Sequence, residues 1–458
     1  MNSISQNTRI HKKEFYLVAL HILIGLIATV IPQLVPILMV SAIVTYVVVY
    51  AKKDRNKFYV LLFISYTTGM EILYRAGGIY FLPYEFVKYL QIGFILLNIF
   101  MAGTRFNSII GILILFLLLP SLILFPPNFY KHFIFTSLGI GALGFLIAFT
   151  GFQKIAWADF AQLLKAFLYP CISFAAYISI KTPDFSKIEF SLGATSETTG
   201  GFGSNQVATL LGAGICLLII LLDRKTYMVS RILTFGILLY FTLRGLLSFS
   251  RGGMVGMLVS VLLSYLFFKK IKQADLLKLG LISIAFTGVF ILTNNITDNI
   301  LLQRYQGETT ATLSGAREID LETLSSGRLN YATIELVAWY NNIIFGVGPG
   351  NMQYASYKYG LSEDDDASHT EATRLLAENG IFGLLINLIL IFWPIYIIRK
   401  TTDRELKFIK SVLFIFGYAT TFHASIRTGM TPLFYALASM DIKPSTMVNS
   451  LKKPVMAK

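Results

Sequence analysis

The 458-residue chain is 55% hydrophobic and only 14% charged, with a mean hydropathy of +0.64, which excludes a soluble globular domain of this length. Its formal net charge is +14, yet no basic stripe stands on a soluble surface, so nucleic acid is excluded as a partner. The only cysteines, Cys171 and Cys216, lie inside apolar runs, which excludes a disulfide framework and a cysteine-ligated metal cluster.

Long apolar runs approach or reach the roughly 17–25 residues that cross a hydrocarbon core. Lipid forces backbone groups to pair within each segment, and these runs lack the strict alternation of barrel strands. The expected fold is therefore all-α: a polytopic transmembrane helical bundle of about 12–14 spans with a large, partly helical outer loop. In chain order the spans are read at 15–31, 34–50, 58–73, 86–101, 109–125, 133–149, 166–180, 206–222, 232–247, 254–268, 279–292, 383–398, 408–422 and, least regular, 426–442. The first follows basic residues as a signal peptide would, but "TVIPQLVP" offers no small-residue cleavage site, so it reads as an uncleaved helix.

Basic residues gather at alternate connections, at Arg9, Lys12 and Lys13, at Lys52 to Lys57, at Arg224 to Arg231, at Lys269 to Lys278, at Arg399 to Lys410 and after Lys443. The positive-inside rule then places both termini in the cytoplasm. On this topology residues 1–295 are transmembrane helices with short loops, apart from a glycine-rich outer loop at 181–204. Residues 296–368 form a large periplasmic loop, 369–442 a capped helix and the last spans, and 443–458 a cytoplasmic tail. No internal repeat or inverted pair of broken helices marks a transporter, and no soluble domain is appended, so chemistry is expected at the outer ends of the helices and in the outer loops. Within the large loop, "RLNYATIELVAWYNN" (328–342) has apolar residues at helical spacing.

Four residues carry the candidate chemistry. Arg251, in "LLSFSRGGMVGML", interrupts two apolar runs, with Arg244 seven positions earlier on nearly the same helical face. A lone arginine there would anchor to headgroups, whereas a glycine-flanked pair reads as a cavity wall. Arg328, in "SSGRLNYATIEL", falls in the first turn of a helix capped by Ser326, where the dipole disfavours a cation; a plain solvated arginine is the competing reading. His369 stands in "SHTE", whose Ser368 and Glu371 fit a capping box. At the first helical position the dipole would keep its imidazole neutral, as a general base must be, and the same helix end favours a phosphate; a solvated loop histidine is the alternative. Asp364, Asp365 and Asp366 beside it lack a second ligand set, so no metal is expected. The glycine-rich "GVGPGN" (346–351) lacks the spacing and the preceding strand of a dinucleotide loop and reads as a turn back to the membrane.

Taken in order, "GGFGSNQVA" (200–208), "SRGG" (250–253), "SGR" (326–328), "IIFGVGPGN" (343–351) and "HTEATRLLAENG" (369–380) resemble the O-antigen ligase and polymerase superfamily of bacterial inner-membrane glycosyltransferases. The likeness covers residues 200–385; earlier residues match in hydrophobicity alone. It implies an enzyme of the inner membrane that takes a glycan from an undecaprenyl-diphosphate carrier and joins it to a hydroxyl of an acceptor glycan or lipid core, without metal or other cofactor and among membrane lipids. By the same resemblance His369 is the base or acceptor-orienting group, and Arg251 and Arg328 bind the diphosphate, with Arg244 behind them. One departure is Thr370, where members often have asparagine. Aromatic residues of the outer loop (Trp339, Tyr340, Tyr354, Tyr357 and Tyr359) offer either sugar-stacking faces or packing onto the bundle. The rival readings are a flippase or transporter of lipid-linked sugars, which would distribute charge near the midplane of two symmetric halves, and a non-catalytic assembly component, which would not need His369.

Overall fold

The computed structural model describes residues 2–78, 82–124, 129–193, 195–269, 273–316, 318–325, 327–352, 355, 358–359, 370–423 and 426–443. The apolar runs are helices: α1 (Asn2–Ala28), α2 (Leu34–Thr45), α3 (Asn56–Ala76), α4 (Phe86–Ala102), α5 (Ile109–Leu118), α6 (Phe129–Thr150), α7 (Trp157–Lys181), α8 (Ser204–Asp223), α9 (Arg231–Leu247), α10 (Arg251–Phe268) and α11 (Gln273–Ile296). The segment between α11 and the last spans forms the short helices α12 (Ile300–Gln306), α13 (Thr310–Leu313) and α14 (Leu321–Ser325) and the longer α15 (Arg328–Asn341). The chain then re-enters the bundle through α16 (Glu371–Lys400), α17 (Arg404–Thr420) and α18 (Met430–Ala438). The protein is an all-helical membrane protein. Helices α7, α8, α10 and α16 are long and apolar enough to cross a membrane by length and composition. Large apolar side chains such as Val30, Phe100, Ile232 and Phe267 stay exposed on the flank, as they can where the solvent is hydrocarbon.

Helices α7 and α8 are mostly enclosed by their neighbours, while only about a third of the apolar stretch of α10 and of α16 is buried. Small residues set the closest approaches: a methyl group on Gly69 of α3 would stand 2.3 Å from the Phe167 carbonyl oxygen of α7. With little hydrophobic drive between helices in lipid, such close backbone packing holds the bundle together. The last span is shorter than the 426–442 expected. Helix α18 is nine residues long and buried throughout, packed against α3, α6 and α17.

At one end of the bundle, strands β1 (Lys154–Ala156) and β2 (Asp441–Lys443) form a parallel ladder, Ile155 opposite Ile442. Lys269 bridges Asp223 at 2.7 Å and also pairs with Glu405 at that end. The α12–α15 segment, the 181–204 loop and the 420–429 connection meet at the opposite end, where the candidate residues lie.

Candidate functional site

Arg251 is placed by a sharp break in the chain. Helix α9 stops at Leu247, Phe249 turns with φ 55°, the Ser250 hydroxyl donates to Asn205 Oδ1 at 2.7 Å, and α10 begins at Arg251 itself. The two following glycines are required by contact. A methyl on Gly253 would meet the Ala208 carbonyl carbon at 2.4 Å, and one on Gly252 would meet His423 Cγ at the same distance. The His423 ring, buried and bonded through Nε2 to Thr209 Oγ1 at 2.7 Å, fills the space Gly252 leaves. "SRGG" is thus the geometry that seats the first turn of α10 against α8 and directs an arginine at the α12–α15 segment.

The Arg251 guanidinium donates from Nη1 to the Arg304 carbonyl oxygen at 3.0 Å and from Nη2 to the Thr323 carbonyl oxygen at 2.9 Å. These are C-terminal carbonyls of α12 and α14, where the helix dipole favours a cation. Arg328 opens α15 and donates from Nη1 to Ser325 O, at the same end of α14, at 3.0 Å. Its helix starts from Gly327 at φ 78°, with no side-chain cap. The expected cap, Ser326, lies outside the described residues, and the left-handed turn that only glycine adopts freely supplies the geometry.

A third arginine joins them. Arg304, in the last turn of α12, is pushed down to about 10 by burial first and then by the charges of Arg251 and Arg328. Arg328 is lowered by burial and by Arg251. Neither Arg304 nor Arg328 pairs with a carboxylate among the described residues. Tyr305 beside them is held edge-on to Phe290 at 5.9 Å between centroids. Burial raises its phenol against the opposing pull of Arg251 and Arg304, so the hydroxyl stays protonated. Arg304 Nε, Arg328 Nε and Tyr305 OH are buried without a hydrogen-bond partner. Neighbouring cations with idle donors, two of them without an acid among the described residues, form a site for an anion.

The His369 edge is built differently from the capping box expected. Helix α16 starts at Glu371 with Thr370 as N-cap, and Thr370 makes no side-chain cap bond. Its hydroxyl donates instead to Glu335 Oε2 of α15 at 2.9 Å, and Thr373 reaches the same oxygen. Glu371 is engaged by Arg374 and accepts the Ile426 amide at 3.1 Å, while the Glu371 amide donates to Thr421 O at 2.8 Å. Glu371 is therefore an ion-pairing residue of the first turn, and His369 precedes the helix. His369 lies outside the described residues, as do Asp364, Asp365, Asp366, Ser368, Tyr354 and Tyr357.

Nine residues into α16 the helix breaks at Gly380 (φ 59°, ψ −134°). The freed backbone groups are taken up by the glycine-rich stretch: Val347 N donates to Ala377 O at 2.8 Å, Gly348 N to Glu378 O at 3.1 Å, and Ile381 N to Ile344 O at 3.2 Å. Glycines are needed on both sides, since a methyl on Gly346 would lie 2.4 Å from the Glu378 carbonyl carbon and one on Gly380 2.4 Å from Ile344 O. The amides of Gly350 and Met352 reach the Glu378 carboxylate. "IIFGVGPGN" is a backbone dock for a kinked helix, and its committed amides leave no phosphate cradle, in agreement with the turn expected from the sequence.

Residues 236–388 match the family model of O-antigen ligase. That match, over about a third of the chain, supports membership of the O-antigen ligase superfamily. No curated protein matches it. The O-antigen ligase segment runs from α9 to the middle of α16, so it contains the three arginines, Tyr305, Glu335 and the His369 edge, and it excludes His423, Thr209 and the N-terminal helices. The family is one of glycosyltransferase-like membrane enzymes that act on lipid-linked glycan and acceptor substrates.

Within the O-antigen ligase segment, Arg244 does not share a helical face with Arg251. The two sit on separate helices, because the Ser248–Ser250 break reverses the chain. Arg244 Nη2 donates to Ile178 O at 3.0 Å and Thr198 O at 2.8 Å and also contacts Thr182 Oγ1. It fastens the carbonyl end of α7 to the 198 turn. Of the aromatic candidates, Tyr340 is exposed, and the Tyr359 hydroxyl accepts from Asn342 at 3.2 Å. Among the described residues no group of three or more His, Cys, Asp or Glu is arranged to hold a metal ion. Arg304, Tyr305 and His423 went unremarked in the sequence reading. The signal for the first two is an arginine and a tyrosine eight and nine residues past the end of a span, in "NILLQRYQG".

Proposed function

We propose that the protein transfers or polymerises a glycan from an undecaprenyl-diphosphate carrier onto an acceptor hydroxyl at the outer face of the bacterial inner membrane, with both termini in the cytoplasm. The observation that carries this reading is the mutual approach of Arg251, Arg304 and Arg328, of which Arg304 and Arg328 pair with no carboxylate among the described residues, at the bundle end where α16 begins. In the reaction the acceptor oxygen attacks the anomeric carbon, the bond from that carbon to the diphosphate oxygen breaks, and its electron pair leaves with the lipid diphosphate. The acceptor's proton passes to a base, the role we assign to His369 as a neutral imidazole. Negative charge grows on the leaving group, and preorganised guanidinium groups stabilise it without relying on a metal. Gathering of the charged groups at one end favours transfer over transport, since a translocation path would place them near the midplane.

The reading is tested with purified protein and a lipid-diphosphate oligosaccharide, scored for longer glycans or for transfer to a lipid core. Wild type should transfer, and His369→Ala, Arg251→Ala and Arg328→Ala should each lose most of the activity. Retention of full transfer by all three would overturn the mechanism, and movement of the lipid across vesicles with no transfer would identify a transporter. Labelling of Ser326→Cys from the outer face alone is the expected topology; labelling only from the cytoplasm would refute it.

A further inference from the structure

Resting on the function proposed above, we infer that Arg304 and Tyr305 are direct receptors of the lipid diphosphate: the Arg304 guanidinium and the Tyr305 hydroxyl donate to its phosphate oxygens between Arg251 and Arg328. The three arginines are not equivalent. Arg251 is tied by two nitrogens to the carbonyls of residues 304 and 323, and Arg328 by one to residue 325. Their positions are fixed by those tethers, and both charges act on Arg304. Arg304 gives no side-chain hydrogen bond to any described residue, and its Nε is buried and idle. A stable fold has no reason to bury a third like charge there, because burial and the two neighbouring cations all act against its protonated form. An anion removes that cost.

Tyr305 supplies the second observation. Its ring is anchored on Phe290, its hydroxyl is buried without a partner, and the nearest charges acting on it are those of Arg251 and Arg304. A buried hydroxyl normally finds an acceptor, and the charged groups acting on this one are both donors. An oxygen-rich anion seated among them accepts from the Tyr305 O–H and from the Arg304 fork at once, which a single phosphate oxygen cannot do for every donor present but a diphosphate can. The same chemistry would suit the phosphate of an ordinary lipid headgroup, so the test includes both sources.

Wild type, Tyr305→Phe, Arg304→Gln, Arg304→Lys and Arg251→Ala are purified in detergent and titrated with undecaprenyl diphosphate and with phosphatidylglycerol by native mass spectrometry, with thermal unfolding of each variant recorded. Wild type should prefer the diphosphate. Tyr305→Phe, which keeps the ring on Phe290, and Arg304→Gln should each weaken diphosphate binding by roughly 10-fold. Phosphatidylglycerol binding should change little, unfolding midpoints should not fall, and Arg304→Lys should recover part of the loss. The inference is overturned if both variants hold the diphosphate as wild type does while Arg251→Ala does not, which leaves the proposed function standing. Equal losses for both lipids would make the pair a headgroup anchor and also overturn it. If wild type binds no undecaprenyl diphosphate, the proposed function fails and this inference fails with it.

Discussion

Two arginine clusters occupy the same end of the bundle and follow opposite rules. Arg75 of α3 is 1% exposed and fully paired: Nη2 meets Glu71 at 2.6 Å and Glu85 at 3.2 Å, Nη1 donates to Gln206 Oε1 at 2.8 Å, and Nε donates to Tyr84 O at 3.2 Å. Lys88 joins Glu85, so two cations face two carboxylates. Arg75 Nη2 also donates to Arg427 O at 2.9 Å, and Glu71 accepts the Gly429 amide at 2.7 Å. This cluster clamps the 420–429 connection from the N-terminal half while Glu371 grips the same connection from α16. The cluster of Arg251, Arg304 and Arg328 sets three cations together; among the described residues Arg304 and Arg328 meet no carboxylate, and the Nε of each is buried without a hydrogen-bond partner. Buried charge that is matched within the chain builds the fold; buried charge left unmatched is explained by a partner that the chain does not supply.

The largest effect should come from breaking the matched cluster. Arg75→Ala leaves Glu71 buried without its ion-pair partner and Glu85 with Lys88 alone, a loss of about 3–5 kcal/mol. The variant should accumulate poorly and unfold at markedly lower temperature in detergent. Were it as stable as wild type, matched burial would not be what holds this end together.

In the unmatched cluster the penalty should appear in chemistry instead. Arg251→Ala is expected to lower glycan transfer by about 100-fold, roughly 2.7 kcal/mol of transition-state stabilisation. Its unfolding midpoint should move much less than that of Arg75→Ala. A transfer rate that simply follows the amount of folded protein would erase the distinction between the two clusters.

Gly252→Ala touches no charge yet tests how the arginine is aimed. The added methyl meets His423 Cγ at 2.4 Å, so the ring or the first turn of α10 must shift, at a cost of about 1–3 kcal/mol. Both stability and transfer should fall, and a second change, His423→Ala, should restore part of the stability by making room. If Gly252→Ala alone transfers at the wild-type rate, the fit of His423 against "SRGG" does not position Arg251.

Much of this arrangement is written locally in the sequence. Apolar runs and the residues between them locate most of the long helices, helical spacing finds α15, and the glycine-flanked arginines draw attention to Arg251 and Arg328, because each of these depends on neighbours a few positions away. What escapes local reading is decided across the chain. Thr370 acts through Glu335 rather than as part of a capping box, the kink at Gly380 exists because residues 344–348 dock on it, and Arg304 gains its meaning from Arg251, 53 residues away. The misplacement of Arg244 lies partly in extending one helical face across the junction of two spans, and its actual partners, Ile178, Thr182 and Thr198, come from distant parts of the chain.

The smallest effect is the one that separates a functional arginine from a structural one by its sign. Arg304 in the folded protein is held at about 10, well below the usual guanidinium range, so folding disfavours its proton. The resulting cost is fully present at neutral pH and is relieved as pH rises through about 10 towards the range of a free guanidinium. Removing the charge should therefore stabilise the protein, by ~1 kcal/mol or less once solvent screening of a half-buried group is allowed for. Arg304→Gln should unfold at a slightly higher temperature than wild type at pH 7, and the gap should narrow as the comparison moves to pH 10 and above. Saturating diphosphate should reverse the order at pH 7 by stabilising wild type preferentially. A variant less stable than wild type at pH 7 without ligand would place Arg304 with Arg75, as a matched charge serving the fold.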